Sequence, residues 1–325
     1  MILAGDIGGT KSRLALYDPA TSVRAPVLER RLPSRAHTSL EALVGEFLAG
    51  VPAPLTRVVL GIAGPVVEQQ VGATNLPWQV SAASLSAALG GVRVLLVNDL
   101  EATAWGLPLL QPDEVETLHA GSPTPGNRAL IAAGTGLGEA LLLWEGSSWR
   151  PCASEGGHAD FAPRDPLEDE LLQWLRGRYG RVSYERVVSG PGLADLYRFL
   201  AATGRGSASS EVAARFETAE APAVVVTLAG LDGSCDRARL ALERFVSIYG
   251  AEAGNLALKG LTVNGIFLGG GIAPLLLPVL RAGGFLESLH DKGRMRALLE
   301  RVPVGVLLED RAALWGAAQL ARLED

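Results

Sequence analysis

Apolar residues recur along the chain either in the short runs of a strand or at the three-to-four-residue spacing of a helix. In the first part of the chain the short runs predict strands at 2–4, 13–17, 27–32, 57–62 and 92–97. Helical spacing predicts helices at 38–49 and 100–106, and Ser81 is expected to cap another that runs to Leu89. This mixed order predicts an α/β lobe.

A second lobe is predicted after the proline-rich stretch 108–127, because 325 residues exceed what one core usually holds. Its strands at 128–133 and 139–144 flank a glycine turn, as at the N-terminus, so the lobes are predicted to be related halves. Further elements are predicted as helices at 167–178, 192–202 and 234–259 (ended by Gly260), strands at 263–268 and 304–308, and a helix at 311–323. We expect a smaller lobe of residues 1–109 completed by 304–325, and a larger lobe of residues 110–303.

Composition narrows the class of partner. The net charge is −6, the pI is near 5.4 and long basic runs are absent from the sequence, which argues against a nucleic-acid interface and favours small molecules or a second copy of the chain. Cys152 and Cys235 lack Cys-x-x-Cys spacing, so neither a disulfide framework nor a cysteine zinc site is indicated. The sequence opens without a leader pattern and contains no apolar stretch near the ~20 residues of a membrane span. We therefore expect a soluble, cytoplasmic protein.

Two glycine-rich runs each follow a strand-like segment. They are the first glycine turn, Gly5-Asp6-Ile7-Gly8-Gly9-Thr10, and the second, Gly134-Thr135-Gly136-Leu137-Gly138. Glycines leave the backbone bare, so that several N–H groups can approach phosphate oxygens, and they permit turns with positive φ. Asp6 adds a carboxylate suited to a Mg²⁺-bound water, and Thr10 adds a hydroxyl donor. The two glycine turns together predict a bound nucleotide, and therefore a kinase or an ATPase.

The first glycine turn has an alternative interpretation, in which Gly8 and Gly9 only join two strands of a hairpin. Other nucleotide folds are disfavoured, because the chain has no Gly-x-x-x-x-Gly-Lys-Ser/Thr stretch and neither glycine run fits Gly-x-Gly-x-x-Gly.

Polar residues in three further places are candidates for chemistry. Asn98 and Asp99 follow a buried strand, at the edge where open α/β sheets bind ligands, although Asp99 is alternatively a helix N-cap. Glu155-Gly156-Gly157-His158 is a bent loop that can turn both polar side chains towards one ligand. A zinc ligand or a hydrogen-bonded core histidine are the alternatives for His158, and the missing cysteines argue against zinc. Glu185 precedes a Ser-Gly-Pro-Gly turn, and taken alone it is a solvated helix charge.

Taken together, the motifs resemble those of bacterial ATP-dependent glucokinases, which belong to the hexokinase/actin/Hsp70-like superfamily. The similarity runs from residue 5 to about residue 274, in the family's order and approximate spacing. It includes the two glycine turns, Asn98-Asp99 and the Glu155–His158 loop, together with Thr74-Asn75-Leu76-Pro77-Trp78, the run Glu-Arg-Val-Val-Ser-Gly-Pro-Gly-Leu from Glu185, and Gly-Gly-Gly-Ile-Ala-Pro from Gly269.

The resemblance implies a two-lobed actin/hexokinase-like (ribonuclease H-like) α/β fold with the active site in the interlobe cleft, often as a homodimer. It implies transfer of the γ-phosphate of MgATP to the 6-hydroxyl of glucose, giving glucose 6-phosphate and ADP at the entry to glycolysis. Asp99 then matches the general base, and Asp6 holds Mg²⁺ through water. The matching sugar-binding residues are Asn75, Asn98, Asp99, Glu155, His158 and Glu185, and the matching nucleotide-binding residues are Gly5, Asp6, Ile7, Gly8, Gly9, Thr10, Gly134, Thr135, Gly136, Gly270 and Gly271.

Two residues depart from the family's pattern, Lys11 and Glu139, and both lie where they can alter nucleotide contacts. The alternatives kept open are another hexose or aminosugar kinase and a non-sugar actin-like ATPase. A kinase of the repressor/ORF/kinase group is disfavoured because its cysteine-rich zinc motif is absent, and a sugar-sensing repressor because only four residues precede the first glycine turn.

Overall fold

A computed structural model describes residues 1–51, 54–72 and 76–323 of the chain. The described strands are β1 Ile2–Ile7, β2 Lys11–Tyr17, β3 Leu28–Pro33, β4 Arg57–Ile62, β5 Gln70–Gly72, β6 Gln79–Ser81, β7 Arg93–Asn98, β8 Val115–His119, β9 Arg128–Ala133, β10 Leu137–Trp144, β11 Trp149–Ser154, β12 Ile266–Gly269 and β13 Val304–Leu307. The described α-helices are α1 Leu40–Leu48, α2 Ala82–Ala88, α3 Asp99–Gly106, α4 Pro166–Tyr179, α5 Gly190–Ala202, α6 Ser210–Thr218, α7 Pro222–Leu231, α8 Asp236–Gly260, α9 Ile272–Leu275, α10 Leu277–Arg281, α11 Gly284–His290, α12 Arg296–Leu299 and α13 Ala312–Leu323.

The chain forms two compact units. The first comprises Met1–Glu114, Arg150–Ala153 and the C-terminal residues from Glu309, and the second comprises Val115–Trp149 and Ser154–Leu308. Among the described helices, none combines the length and the apolar character that crossing a membrane requires.

The first unit is built on a mixed five-stranded sheet in the order β3-β2-β1-β4-β7. β1, β2 and β3 pair antiparallel, as the predicted meander requires, whereas β4 and β7 run parallel to β1. One face of the sheet packs on α1 and α2, and the other packs on α3 and α13. The helices α3 and α13 touch closely, since a Cβ on Gly316 would lie 1.8 Å from the carbonyl oxygen of Ala102. The parallel strands end at one edge, which carries Asp6, Asn98 and Asp99.

The second unit is built on a six-stranded sheet in the order β11-β10-β9-β12-β13-β8. Its core is formed largely by the long helix α8, by α5 and by α11. A Cβ on Gly250 of α8 would lie 2.1 Å from the carbonyl oxygen of Phe285, so glycine permits the close approach of α8 to α11.

Several predicted elements are found with their predicted bounds or nearly so. β4 and β9 match 57–62 and 128–133 residue for residue, and Ser81 accepts a hydrogen bond from the Ser84 amide as the cap of α2. The short strands β5, β6, β8 and β11 and the helices α6, α7, α9, α10, α11 and α12 were not predicted.

Two sequence-based expectations are wrong. The strand β13, expected in the first lobe, pairs parallel with β12 in the second sheet, where its fully buried residues suit a central strand, and only α13 packs in the first unit. Gly260 is not the residue that stops α8: it is the last residue of the helix, and the left-handed residue that follows and caps it is Leu261, with φ 44°. A Cβ at position 260 would lie 2.5 Å from Leu141 Cδ2, so the packing of this side chain against the helix favours glycine there.

Candidate functional site

The first glycine turn joins β1 to β2 as a hairpin. Its local fold is therefore the one that the alternative interpretation of this motif describes. The Gly8 amide donates to the Lys11 carbonyl at 3.2 Å, and Ser34 Oγ donates to the Gly8 carbonyl at 2.7 Å. Neither glycine turn uses the left-handed φ region that its glycines would permit. Thr10 is exposed. The turn is therefore a fixed hairpin tip with its hydroxyl side chain accessible.

Not every residue of the first glycine turn is available to a ligand. Gly5 is buried, and a Cβ there would lie 2.6 Å from both Leu14 Cδ2 and Leu60 Cδ2. Ile7 is also buried in the core. Both residues build the sheet, so within this turn the backbone and hydroxyl groups open to a phosphate are those of Gly8, Gly9 and Thr10.

Asp6 and Asp99 lie at the same edge of the first sheet. Asp6 pairs with Gly61 across β1 and β4, and Gly61 pairs with Val97 of β7, next to the start of α3. Burial, followed by the charge of Asp99, raises the pKa of Asp6 to about 7, while Arg13 lowers it. Two carboxylates held this close repel each other when both are ionised. The edge is therefore a place where a cation or a proton would be stabilised.

The helix N-cap at this edge is Asn98, so the N-cap interpretation of Asp99 is wrong. Asn98 Oδ1 accepts from the amides of Leu100 and Glu101 at 2.9 and 3.3 Å, and its Nδ2 donates to the Gly64 carbonyl at 3.1 Å. Asp99 is the first residue of α3, and its Oδ1 accepts from the Leu100 amide at 2.9 Å. Anions are stabilised at a helix N-terminus. Asn98 thus fixes the turn and leaves the Asp99 carboxylate half-buried at the sheet edge.

In the second unit, the second glycine turn is tied to Glu185. Glu185 Oε2 accepts from the Leu137 amide at 3.0 Å, and a Cβ on Gly136 would lie 2.4 Å from the same oxygen. The Gly190 amide donates to the Gly134 carbonyl at 2.8 Å. Gly270 has φ 77°, and a Cβ there would lie 2.4 Å from the carbonyl oxygen of Ala133, so this predicted nucleotide residue packs next to the turn. Glu185 is therefore a fixed group and not a solvated helix charge.

Three predicted sugar-binding residues meet in what we call the His158 cluster: Glu155, His158 and Glu185. His158 Nε2 lies 3.8 Å from Glu155 Oε2, and its Nδ1 lies 3.8 Å from Glu185 Oε1. The side chains of His158, Glu155 and Glu185 are 55%, 53% and 28% exposed. The core-histidine alternative is therefore wrong. An imidazole set between two accessible carboxylates presents hydrogen-bond donors and acceptors at short spacing, as polyhydroxylated ligands require.

The loop that carries the cluster is held closely against β10. A Cβ on Gly157 would lie 2.0 Å from the Leu137 carbonyl oxygen, and one on Gly156 would lie 2.0 Å from Glu139 Oε2. Glu139 is 1% exposed, so it lies beneath this loop and does not project towards solvent beside the glycine turn. Lys11 is exposed at the start of β2. Asn75 lies outside the described residues.

The polar residues of α8 that lie near the His158 cluster were not selected in the sequence analysis. Glu252 and Asn255 are hydrogen-bonded at 2.8 Å, and Asn255 Nδ2 also donates to the Tyr184 hydroxyl at 3.1 Å, next to Glu185. The available signal was the spacing of Glu252, Asn255 and Lys259, which puts polar groups on one face of a helix.

Direct coordination of a metal by several side chains is not found: within the described residues, no group of three or more His, Cys, Asp or Glu is arranged to hold an ion.

The chain is similar to known proteins over its whole length. The sequence model of one family, described as Glucokinase, matches residues 3–324. A glucokinase from Nostoc punctiforme is 37% identical, over 99% of this chain and 98% of the relative. The solved glucokinase from an Antarctic psychrotroph is 31% identical with a TM-score of 0.82, over 99% of each chain. A glucokinase from Balamuthia mandrillaris, solved in complex with glucose, is 22% identical with a TM-score of 0.80, over 99% of this chain and 93% of that one.

The fold and these similarities define an ATP-dependent sugar kinase with the actin-like hexokinase fold. More narrowly, the chain belongs to the glucokinase family. The family resemblance of the motifs and the α/β fold class are thereby confirmed, and the alternative of a non-sugar actin-like ATPase is set aside.

Proposed function

We propose that the protein transfers the γ-phosphate of MgATP to the 6-hydroxyl of glucose, giving glucose 6-phosphate and ADP, with Asp99 as the general base. The observation that carries this proposal is the His158 cluster, in which His158 lies 3.8 Å from a carboxylate oxygen of each neighbouring glutamate. Such a cluster suits sugar hydroxyls, which donate and accept along fixed directions.

The proposal gives each of these residues a role towards glucose. The His158 cluster and Asn98 hold ring hydroxyls, and Asn75 assists. The Asp99 carboxylate accepts the proton of the 6-hydroxyl as the bond from that oxygen to the γ-phosphorus forms and the bond to the ADP oxygen breaks. Phosphoryl transfer depends mainly on positioning and charge stabilisation, so the proton can move late. The half-buried position of Asp99 at a helix N-terminus supports the role of a fixed base, because anions are stabilised there.

The nucleotide is proposed to bind at the two glycine turns, with Gly8, Gly9 and Thr10 in the first turn and Gly134, Thr135 and Gly136 in the second. Gly270 and Gly271 would lie against the adenosine. Support comes from Gly271, where an added Cβ would meet no atom within 4 Å, and from the exposed side chain of Thr135.

The residues present fit a magnesium ion that arrives with the nucleotide. Mg²⁺ keeps several waters and is bound through one or two carboxylates together with substrate phosphates, so a full set of protein ligands is not required. Asp6, with its pKa raised to about 7 by burial and by Asp99, is the carboxylate that a cation would relieve. Asp6 would hold the ion through a water, and the bound ion would offset negative charge on the phosphates.

The proposal also includes the location of the enzyme in the cell and its oligomeric state. We infer a cytoplasmic enzyme at the entry to glycolysis that works as a homodimer, as the family resemblance implies. Cys152 and Cys235 are both free thiols, as expected in a reducing compartment. Light scattering of the purified protein would give a mass near twice 34.0 kDa if it is a dimer.

Replacing Asp99 tests the proposed mechanism. Asp99→Asn is nearly isosteric, so we expect the glucose KM to stay near that of the native enzyme while kcat falls about 10²–10⁴-fold, the usual loss when a general base is removed. Asp113→Asn, an exposed carboxylate in the same unit, is the matched control and should change neither quantity. A kcat within a few-fold of the native value for Asp99→Asn would refute the base assignment. The same assay across glucose, mannose, glucosamine and fructose identifies the preferred sugar and tests the alternative of another hexose or aminosugar kinase.

A further inference from the structure

Glu139 is a buried carboxylate that the proposed mechanism does not use. It lies in β10, directly after the second glycine turn, and is 1% exposed. Its Oε1 atom has no hydrogen-bond partner among the described residues. Its Oε2 atom lies against Gly156, where an added Cβ would be only 2.0 Å away. A buried acceptor without a donor is costly, so the local chemistry needs a proton at this position.

Glu252 of α8 is the group that can take a hydrogen bond from that proton. It is completely buried beside Glu139, and its own oxygens accept from Asn255 Nδ2 at 2.8 Å and from Lys259 Nζ at 3.4 Å. Burial and then the Glu252 charge raise the pKa of Glu139 to about 8, against a smaller opposing effect of Lys259. The raised pKa favours the neutral acid of Glu139 at neutral pH, and the hydroxyl of that acid is able to donate to Glu252.

Glu139 and Glu252, which we call the carboxyl pair, contact both chain segments that carry the His158 cluster, Gly156–His158 and Tyr184–Arg186. On one side Glu139 supports Gly156, within the loop between Glu155 and His158. On the other side Glu252 bonds to Asn255, whose Nδ2 donates to the Tyr184 hydroxyl at 3.1 Å. Lys292 Nζ completes the network by donating to Asn255 Oδ1 at 2.7 Å.

We propose that Glu139, as a protonated acid hydrogen-bonded to Glu252, is a positioning residue that holds the segments Gly156–His158 and Tyr184–Arg186 in their sugar-binding geometry. This inference rests on the proposed sugar-binding role of the His158 cluster. Glu139 is not itself expected to touch the sugar, since it is buried beneath the loop.

Loss of the proton should weaken sugar binding. Two adjacent buried carboxylates would then repel each other, and the oxygen under Gly156 has no room to move towards the loop without displacing it. The other titratable groups facing this pair are Lys259, Tyr249 and Tyr184, together with Lys292, whose pKa is lowered mainly by burial.

The test is the pH dependence of the Michaelis constants, measured by glucose-dependent ADP release. For one essential proton with a pKa near 8, the native glucose KM should rise about tenfold between about pH 7 and about pH 9. The ATP KM should change less than about twofold, because the pair supports the sugar segments only. Glu139→Gln keeps the donor but cannot ionise, so its glucose KM should be nearly equal at both pH values. Glu139→Leu removes the donor and should raise the glucose KM already at neutral pH. Glu139→Gln keeps the donor, so its glucose KM at neutral pH should stay near the native value.

Glu217→Gln, which alters an exposed carboxylate of α6, is the matched control and should follow the native profile. A native glucose KM that is flat across this range, or a Glu139→Gln profile that rises like the native one, would overturn the inference. If either Glu139 variant does not fold, the native profile alone decides. If no glucose-dependent ADP release occurs at any pH, the proposed function fails, and calorimetric glucose affinity at the same pH values then decides the inference. Affinity that is constant with pH, or absent throughout, overturns it.

Discussion

Glu139→Gln should change how the stability of the protein depends on pH. The native Glu139 is buried, and burial together with the Glu252 charge raises its pKa from 4.5 to about 8. In the unfolded chain the same carboxyl ionises near its ordinary value. Between these two pKa values the folded protein binds one more proton than the unfolded chain, so its stability falls as the pH rises.

The structure sets the expected magnitude. The stabilisation from the neutral acid is fully present below the unfolded pKa of 4.5 and is lost as the pH rises through the folded pKa of about 8. One proton difference corresponds to a slope of about 1.4 kcal/mol per pH unit, or roughly 3 kcal/mol between about pH 5.5 and about pH 7.5. Gln cannot ionise, so the variant should lack this slope.

The assay is urea denaturation of the native protein and of Glu139→Gln at several pH values, followed by circular dichroism. The quantity compared is the difference between the two proteins in the free energy of unfolding. Asp6, whose pKa is also raised by burial and by Asp99, contributes the same slope to both proteins and cancels in that difference. Glu217→Gln should retain the native slope. Equal slopes for the native protein and Glu139→Gln would show that Glu139 is ionised in the folded state and would refute the reasoning.

Two further predictions concern the His158 cluster and the packing of α13. Glu185→Gln should raise the glucose KM by about 10–100-fold, and the ATP KM much less, because a charge-assisted acceptor is lost. His158→Asn should likewise raise the glucose KM, and a lower melting temperature with an unchanged KM would remove His158 from the site. Gly316→Ala should destabilise the protein by about 1–3 kcal/mol in urea titrations, because its Cβ would lie 1.8 Å from a backbone carbonyl oxygen. Unchanged stability for Gly316→Ala would contradict the close packing of α3 and α13.

Much of the fold could be predicted because its strands are uninterrupted apolar runs. β4 and β9 were found residue for residue, since central strands that are buried on both faces need apolar side chains on both faces. The sheet to which β13 belongs could not be predicted, because an apolar run does not indicate which neighbour it pairs with. Gly260 was misinterpreted for a similar reason. Its role depends on contact with Leu141, which is distant in sequence.

The candidate site, like the fold, could be predicted only in part from the sequence. Glu155, His158 and Glu185 could be selected from their glycine-rich surroundings and from the family resemblance, and the structure brings them together. The position of Glu139 beneath Gly156 could not, because it follows from the packing of β10 against a loop and against Glu252 of a remote helix. Sequence motifs thus identified the accessible polar residues, whereas the buried ones that support them required tertiary contacts.

Sugar-dependent phosphoryl transfer is the central claim, and ADP release by the purified protein tests it most directly. The measurement compares MgATP alone, MgATP with glucose, and the second mixture with excess EDTA, with glucose 6-phosphate measured in parallel. We predict ADP release only with glucose, one glucose 6-phosphate formed for each ADP, and no activity in EDTA, because the metal offsets charge on the transferring phosphate. ADP release that is equally fast without sugar, or that proceeds without glucose 6-phosphate, would contradict the account.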